Sequence, residues 1–294
     1  MPYLLLVLTT LFWSGNFVLS RGMHADIPPL ALSFWRWALA LAIMLAFSWR
    51  TFLGQRGIVY RERRFIIIQG LLGVTGFNSL IYLAVQSTTA VNAVLINSCV
   101  PILIALCSLF INKEPLRLRQ WAGILVSLSG VALIIVGGKL GSLVELDFNQ
   151  GDLLVLCAGL FWALYSVNLK RFPEELHPFS YLLGIMIAGV IGILPFYFLE
   201  LAMGYGLTAN LPTLTTIVYV AIFPSLLAFI FWNRAVRDIG ANRAGVFIHL
   251  MPVFSSIMAI MFLGESIELF HLQGIALVFA GIFLATYSGG KRAD

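Results

Sequence analysis

The chain has 294 residues, of which 60% are hydrophobic and only 11% are charged, and its mean hydropathy is +0.96. Soluble domains carry about a quarter charged residues, so this composition excludes an ordinary water-soluble protein. The net charge of +5 comes from basic residues spread over several short loops rather than gathered on one face, which argues against nucleic-acid binding.

Ten apolar segments follow one another along the chain, each long enough to span a membrane. A hydrocarbon core needs roughly 20 apolar residues in a helix. Strands of a membrane barrel would instead alternate polar and apolar residues, which these segments do not do. In chain order, segments 1 to 10 are 3–20, 30–49, 65–86, 91–112, 121–137, 151–169, 179–201, 213–233, 244–263 and 270–288. The sequence therefore predicts an all-α polytopic membrane protein with ten transmembrane helices.

Segments 4–5 and 9–10 repeat one pattern at a constant offset of 151 positions. The matching pairs are Pro101 and Pro252, Glu114 and Glu265, Gly123 and Gly274, and Gly130 and Gly281. A constant offset indicates two homologous halves, here 1–138 and 151–294, joined by the connection 139–150. Since five helices per half is an odd number, the halves should be inverted relative to each other, as in many secondary transporters.

Basic residues lie almost entirely on one set of connections. The loops 50–64, 113–120, 170–178 and 234–243 and the C-terminal tail carry 15 Lys and Arg residues, and we call these connections the basic end. The other set holds only Arg21 and Lys139. The positive-inside rule places the basic end in the cytoplasm, with both termini inside and the connection 139–150 in the periplasm.

Segments 1 and 6 share an opening pattern, LFWSGNFVLSR and LFWALYSVNLKR, which aligns Trp13 with Trp162. Asn16, Tyr165 and Asn168 place polar atoms on these otherwise apolar helices. Polar atoms in hydrocarbon must be satisfied, so they either line a substrate cavity or bond neighbouring helices.

Segment 2 carries Arg36 six or seven residues from its outer end, about 9 Å deep at 1.5 Å per residue. Its side chain either snorkels outward past Trp35 and Trp37 or forms a structural pair, or it contacts a substrate, for which a carboxylate would suit. The equivalent residue of the second half is Ile185, so the repeat is broken here.

Segments 3 and 8 carry further polar and aromatic candidates. Asn78 and Tyr82 are four residues apart on segment 3 and therefore share a face. On segment 8, Trp232 lies near the predicted membrane edge, where aromatic anchors are common. We expect Trp232 to be an anchor rather than a substrate contact.

Segments 4 and 9 contain Pro101 and Pro252, which predict a helix kink at each position. Asn97 lies just before the first proline and His249 just before the second. His249 is either a neutral, hydrogen-bonded core residue or a group that contacts substrate or couples protons.

Several chemistries have no signature in the sequence. The motifs H-E-x-x-H, G-x-S-x-G and G-x-x-x-x-G-K-[ST] are missing. Cys99, Cys107 and Cys157 all lie in apolar segments at spacings that suggest no metal site. We therefore expect neither an enzyme nor a bound metal or cofactor.

The repeated stretches PILIALCSLFINKEPLRLRQWAGILVSLSGVALI and PVFSSIMAIMFLGESIELFHLQGIALVFAGIFLA resemble the two EamA repeats of the drug/metabolite transporter superfamily. The opening pattern of segment 1 and Arg36 fit the same family. The aromatic-rich helices further resemble the YddG-type exporters of aromatic and other amino acids. This resemblance implies five plus five inverted helices and export of small metabolites from bacteria. The chain departs from the pattern at Lys113, where the second half has Gly264.

Together these features predict a secondary transporter that exports amino acids, aromatic and other neutral ones, across the bacterial inner membrane by alternating access. The expected substrate contacts are the aromatic residues Trp13, Tyr82, Trp162 and Tyr165 and the polar residues Asn16, Arg36, Asn78, Asn97, Asn168 and His249.

Two alternatives remain open. One is a carrier for another metabolite or for a cationic drug, which aromatic rings could hold. The other is a channel or a receptor-like membrane protein. The expected partners are a small molecule and the lipid bilayer, and a monomer is one assembly that the pattern allows.

Overall fold

The computed structural model describes residues 1–23, 26–84, 86–88, 90–138, 149–263 and 267–287, and no strand occurs among them. Every predicted segment contains helix. Glu265, the C-terminal tail and most of the predicted connection 139–150 lie outside the described residues. The main helical stretches are Pro2–Gly22, Pro29–Gly54, Arg56–Arg61, Arg63–Ala84, Ala90–Asn97, Val100–Asn112, Leu118–Ile135, Gln150–Asn168, Pro178–Ala202, Leu211–Ile239, Ala241–Gly245, Leu250–Leu263 and Leu269–Thr286.

Eight helices of the described chain are long and apolar enough to cross a membrane. They correspond to segments 2 to 8 and segment 10. Segment 1 is the helix Pro2–Gly22, and segment 9 is divided between shorter helices ending with Leu250–Leu263. The chain is therefore a multi-pass helical membrane protein.

Four segments depart from regular α-helix within their length. Segments 3 and 8 each contain a π-helical stretch, Leu71–Gly76 and Ala221–Leu227. Segment 4 is interrupted by a turn at Ser98 and Cys99, and segment 9 by the 3-10 turn Val246–His249. The interruptions fall at matching places in the sequence repeat, since Ser98 and His249 are 151 residues apart.

Each interruption in segments 4 and 9 comes just before a proline. Pro101 is the second residue of the helix Val100–Asn112, and Pro252 is the third of Leu250–Leu263. Proline has no N–H to donate to the preceding turn and clashes with it, whereas the first turn of a helix tolerates proline well. The chain therefore restarts a helix at each proline.

Segments 5 and 10 pack closely against each other through glycines. A Cβ at Gly123 would lie 2.6 Å from the carbonyl oxygen of Gly281, and one at Gly130 would lie 2.6 Å from that of Gly274. The lower-numbered glycine of one helix faces the higher-numbered glycine of the other, so the two helices run antiparallel. Glycine permits this approach because a larger residue would separate the backbones.

Segments 2 and 7 are also paired, and their ends are tied together. The buried carboxylate of Glu200 accepts hydrogen bonds from the backbone N–H groups of Leu30 and Ala31 at 3.0 and 2.6 Å. At the basic end, the Gln55 side chain accepts from the N–H of His177 and donates to the carbonyl of Glu175. These bonds satisfy backbone groups that a helix end leaves free and hold segment 2 against segment 7.

Candidate functional site

A small cavity lies in the interior where segments 1, 2, 3, 4, 6, 8 and 9 meet. Its free volume is about 30 Å³, enough for one or two water molecules and too little for a metabolite. The described residues that line it are Trp13, Asn16, Arg36, Phe77, Asn78, Ile81, Tyr82, Asn97, Trp162, Phe229, Ile248 and Met251. The polar groups among these side chains define the candidate site.

Seven of the ten predicted contact residues line this cavity, namely Trp13, Asn16, Arg36, Asn78, Tyr82, Asn97 and Trp162. The sequence does not single out the apolar residues of the cavity wall, such as Phe229 and Met251. In a chain that is 60% hydrophobic, an apolar residue in the wall has no signal that separates it from one facing lipid.

Arg36 points into the bundle rather than outward to the membrane surface. Arg36 is only 2% exposed, so its side chain does not snorkel to the membrane surface. Its Nε donates to Ser225 Oγ at 2.7 Å, and Nη1 donates to Tyr82 Oη at 2.5 Å and to Asn16 Oδ1 at 3.4 Å. Nη2 has no partner among the described residues, which leaves two N–H donors available.

No carboxylate balances the charge of Arg36 within the described part of the chain. The ion pairs found there all involve other cations, namely Arg61 with Glu62 and Glu175, Lys170 with Glu114, and Arg234 with Asp238. The guanidinium carbon of Arg36 instead lies 5.5 and 5.9 Å from the ring centroids of Trp37 and Tyr82. A buried cation with only neutral partners is costly in a membrane and attracts an anion.

The two π-helical stretches supply groups that hold the cavity wall. Ser225, in the second stretch, accepts from Arg36 and donates to the carbonyl of Val220. Asn78, just after the first stretch, donates to the carbonyls of Gly73 and Val74 at 3.0 and 3.1 Å. π-helical turns leave backbone groups that side chains must satisfy, and they are frequent at functional sites.

Tryptophan rings form the apolar wall. Trp13 meets Trp162 edge to face, with ring centroids 5.0 Å apart. Trp13 Nε1 donates to the carbonyl of Pro224 at 3.2 Å. Trp162 is 1% exposed and its Nε1 has no acceptor among the described residues. A buried indole N–H is usually bonded, so this donor is available to a ligand.

The prediction that Trp232 is an interface anchor is wrong. Trp232 is fully buried, its ring lies 5.3 and 5.4 Å from those of Trp13 and Trp162, and its Nε1 donates to Ser166 Oγ. Trp232 and Ser166 lie toward the basic end from the cavity, because Ser166 is one turn beyond Trp162 on the same helix and lines an open cleft there. The inward face of segment 8 thus outweighs the preference of tryptophan for the membrane surface.

Three predicted contact residues lie outside the cavity wall. Tyr165 is buried, and its hydroxyl donates to Asn233 Oδ1 at 2.7 Å. Asn168 is half-buried at the end of the helix Gln150–Asn168. His249 is fully buried among segments 4, 5 and 9.

Both ring nitrogens of His249 are occupied. Nε2 lies 2.8 Å from the carbonyl oxygen of Ser98, and Nδ1 lies 2.6 Å from Ser127 Oγ. The ring therefore donates to a carbonyl at the turn in segment 4 and accepts from the serine hydroxyl. This arrangement is a hydrogen-bonded brace between segments 4, 5 and 9, the first of the two roles that the sequence left open.

Asn97 differs from the other polar residues of the wall. It is 7% exposed, yet its Oδ1 has no donor among the described residues. Asn16 Oδ1, by contrast, accepts from Arg36 and from Tyr82 Oη. The residues of the cavity wall therefore carry a guanidinium, an indole N–H without an acceptor and an amide oxygen without a donor among the described residues.

Comparison with known proteins identifies the family of the chain. The model of the EamA-like transporter family matches residues 1–136 and 149–287. The chain belongs to the EamA-like transporter family. It is 28% identical to the uncharacterized transporter YyaM of Bacillus subtilis, over 97% of this chain and 93% of YyaM, and 30% identical to an uncharacterized transporter of Archaeoglobus fulgidus, over 97% and 96%.

Two further likenesses concern function and fold. A probable terminal-alkyne amino-acid exporter of Streptantibioticus cattleyicolor is 26% identical over 95% of this chain and 91% of that protein. A crystal structure aligns with a TM-score of 0.79 at 20% identity, covering 97% of each chain, and supports the fold alone. Since members of this family are named transporters, the chain is a membrane transporter and not an enzyme.

Proposed function

We propose that the transporter has ten transmembrane helices in two inverted halves, 1–138 and 151–294, joined by a periplasmic connection at 139–150, with both termini in the cytoplasm of a bacterium. The matching interruptions in segments 4 and 9 support the repeat. The antiparallel glycine contacts of segments 5 and 10 support the inversion. The concentration of basic residues on alternate loops supports the orientation.

The proposed activity is export of amino acids, aromatic and other neutral ones, across the inner membrane by alternating access, as in YddG-type exporters. The observation that carries it is Arg36, a buried cation without a carboxylate partner in the described chain, in a cavity walled by tryptophan. A charge-assisted bond from a guanidinium to a carboxylate is about twice as strong as a neutral hydrogen bond. The amino-acid exporter among the relatives supports the same substrate class.

In this proposal Arg36 binds the substrate carboxylate through its free Nη2 donors. The substrate side chain lies against Trp13, Trp162 and Tyr82. Trp13 is half-buried and the other two are buried, and all three are held by their own contacts. A site that is already oriented loses less entropy when it binds a ligand. The cavity must widen before a substrate enters, and widening toward each side of the membrane in turn gives alternating access.

The charge of Arg36 also favours amino acids over organic cations as substrates. Two like charges about 5 Å apart repel by about 3 kcal/mol when the effective dielectric constant is about 20. A simple cation would therefore be repelled by the guanidinium, although the tryptophan rings alone would suit it.

Counterflow in proteoliposomes tests the proposal. Vesicles loaded with unlabelled phenylalanine, leucine or another neutral amino acid should accumulate the labelled compound, and flux should saturate. Uptake of an organic cation but of no amino acid would refute the substrate class. Flux that does not saturate would indicate a channel, and ligand binding without flux would indicate a receptor.

A further inference from the structure

The helix Ala90–Asn97 ends at the cavity with Asn97, a residue of the cavity wall. Asn97 is more than nine-tenths buried, and its Oδ1 has no donor among the described residues. The large majority of buried side-chain polar atoms in proteins have a partner. An acceptor that has no partner and belongs to a residue of a ligand cavity is therefore suited to a donor that the ligand brings.

The backbone at the same place has the same polarity. Pro101 has no N–H, so the carbonyl of Asn97 lacks its usual helical donor four residues later. The carbonyl end of a helix also carries a partial negative charge. In transporters with interrupted helices, such ends coordinate sodium ions or protons, and an ammonium group carries the same charge.

We propose that Asn97 receives the α-ammonium group of an amino acid whose carboxylate is bound by Arg36. This inference rests on the proposed function and adds a specificity: the site recognises a zwitterion rather than any carboxylate. The Asn97 amide oxygen and helix end would face the ammonium, and Arg36 would face the carboxylate. Asn97 then determines whether an amino acid is preferred over the same compound without its amine.

Matched ligand pairs test this specificity on the purified full-length transporter in detergent. The pairs are phenylalanine with 3-phenylpropionate and leucine with 4-methylpentanoate, which differ only by the amine. The wild-type protein should bind each amino acid about 10- to 100-fold more tightly than its partner, as expected for a hydrogen bond to a charged group. Asn97→Leu should abolish this preference by weakening only the amino acids, with the simple carboxylates unchanged within twofold.

Two further variants serve as controls. Asn97→Asp keeps the acceptor oxygen and should preserve the preference for the amino acids. Asn112→Leu changes an asparagine on the same segment that does not line the cavity and whose amide donates to the carbonyl of Val167, so the preference should persist. Thermal unfolding of each variant shows whether it is folded at the temperature of the titration.

Four outcomes would overturn the inference, and they separate it from the proposed function. If the wild type binds amino acids and simple carboxylates equally, Asn97 has no such role while the export proposal stands. If Asn97→Leu weakens both members of each pair equally, its role is structural. If its effect disappears when sodium is replaced by N-methylglucamine, Asn97 serves a sodium ion. If no amino acid binds or is transported, the proposed function and this inference both fail.

Discussion

Segments 4 and 9 are interrupted at matching positions, yet the side chains at the two interruptions are hydrogen-bonded differently. At segment 4 the break leaves the amide oxygen of Asn97 without a donor beside the cavity. The break in segment 9 ends at His249, whose ring bonds the Ser98 carbonyl at the segment 4 turn and the Ser127 hydroxyl on segment 5. One interruption thus provides a surface for a ligand and the other provides a brace. Positions that correspond in the repeat need not share a task.

Segments 2 and 7 show the same division. Arg36 lines the cavity, whereas its counterpart Ile185 is a fully buried apolar residue. Arg36 and Asn97, which are proposed to contact the charged groups of a substrate, therefore do not repeat, whereas the cavity residues Trp13 and Trp162 do. Other features that repeat, such as the glycines of segments 5 and 10, support packing. Substitutions at unlike members of these pairs should therefore give unlike results.

The largest effect is expected at Arg36. Arg36→Met keeps the side-chain length and removes the charge, so amino-acid affinity should fall about 100-fold, corresponding to loss of about 3 kcal/mol from a buried charge pair. Because the free protein loses an unpaired buried cation, its thermal stability should stay the same or rise. Ligand titration and thermal unfolding measure the two quantities.

Arg50→Met is the matched control, because Arg50 is an exposed arginine near the other end of the same helix. It should leave affinity within twofold of the wild type. If Arg36→Met instead lowers stability and keeps affinity, Arg36 is a structural charge and segment 2 does not differ from segment 7 in function.

A smaller effect, on stability rather than affinity, is expected at His249. His249→Leu leaves the carbonyl of Ser98 without its donor, which costs about 1–3 kcal/mol and should lower the unfolding temperature by several degrees. Affinity of the folded fraction for amino acids should change by less than threefold. His177→Leu, at an exposed histidine whose ring caps the helix Pro178–Ala202, should leave affinity unchanged and cost only the stability of one helix cap, about 1 kcal/mol. Lost flux at normal stability, seen only under a proton gradient, would show that His249 acts in transport instead.

The smallest expected effect is a difference in amino-acid affinity between Pro101→Ala and Pro252→Ala. Pro101→Ala supplies an N–H to the carbonyl of Asn97, which should weaken amino-acid binding about fivefold, near 1 kcal/mol for one modest hydrogen bond. Pro252→Ala should stay within twofold, because at segment 9 the carbonyl of Ile248 already accepts from Leu250. Equal effects in the same titration would mean that the two breaks are equivalent after all.

The sequence predicts the helices well because hydrophobic length alone determines which stretches can span a bilayer. It also identifies Arg36 and Asn97, since polar residues stand out in apolar helices. It does not predict the π-helical stretches, which depend on local backbone shifts. Nor does it predict that Trp232 turns inward or that Glu200 caps the start of segment 2, since both contacts join residues far apart in sequence.

The narrow cavity lowers the measured affinity for a ligand. A ligand binds only the molecules that have widened, so the measured dissociation constant is the intrinsic one divided by the widened fraction. If about one molecule in a hundred is widened, binding is weakened about 100-fold. The transport rate of such a protein is low at low ligand concentration and rises as the ligand accumulates. A closed interior thereby sets the concentration at which transport begins.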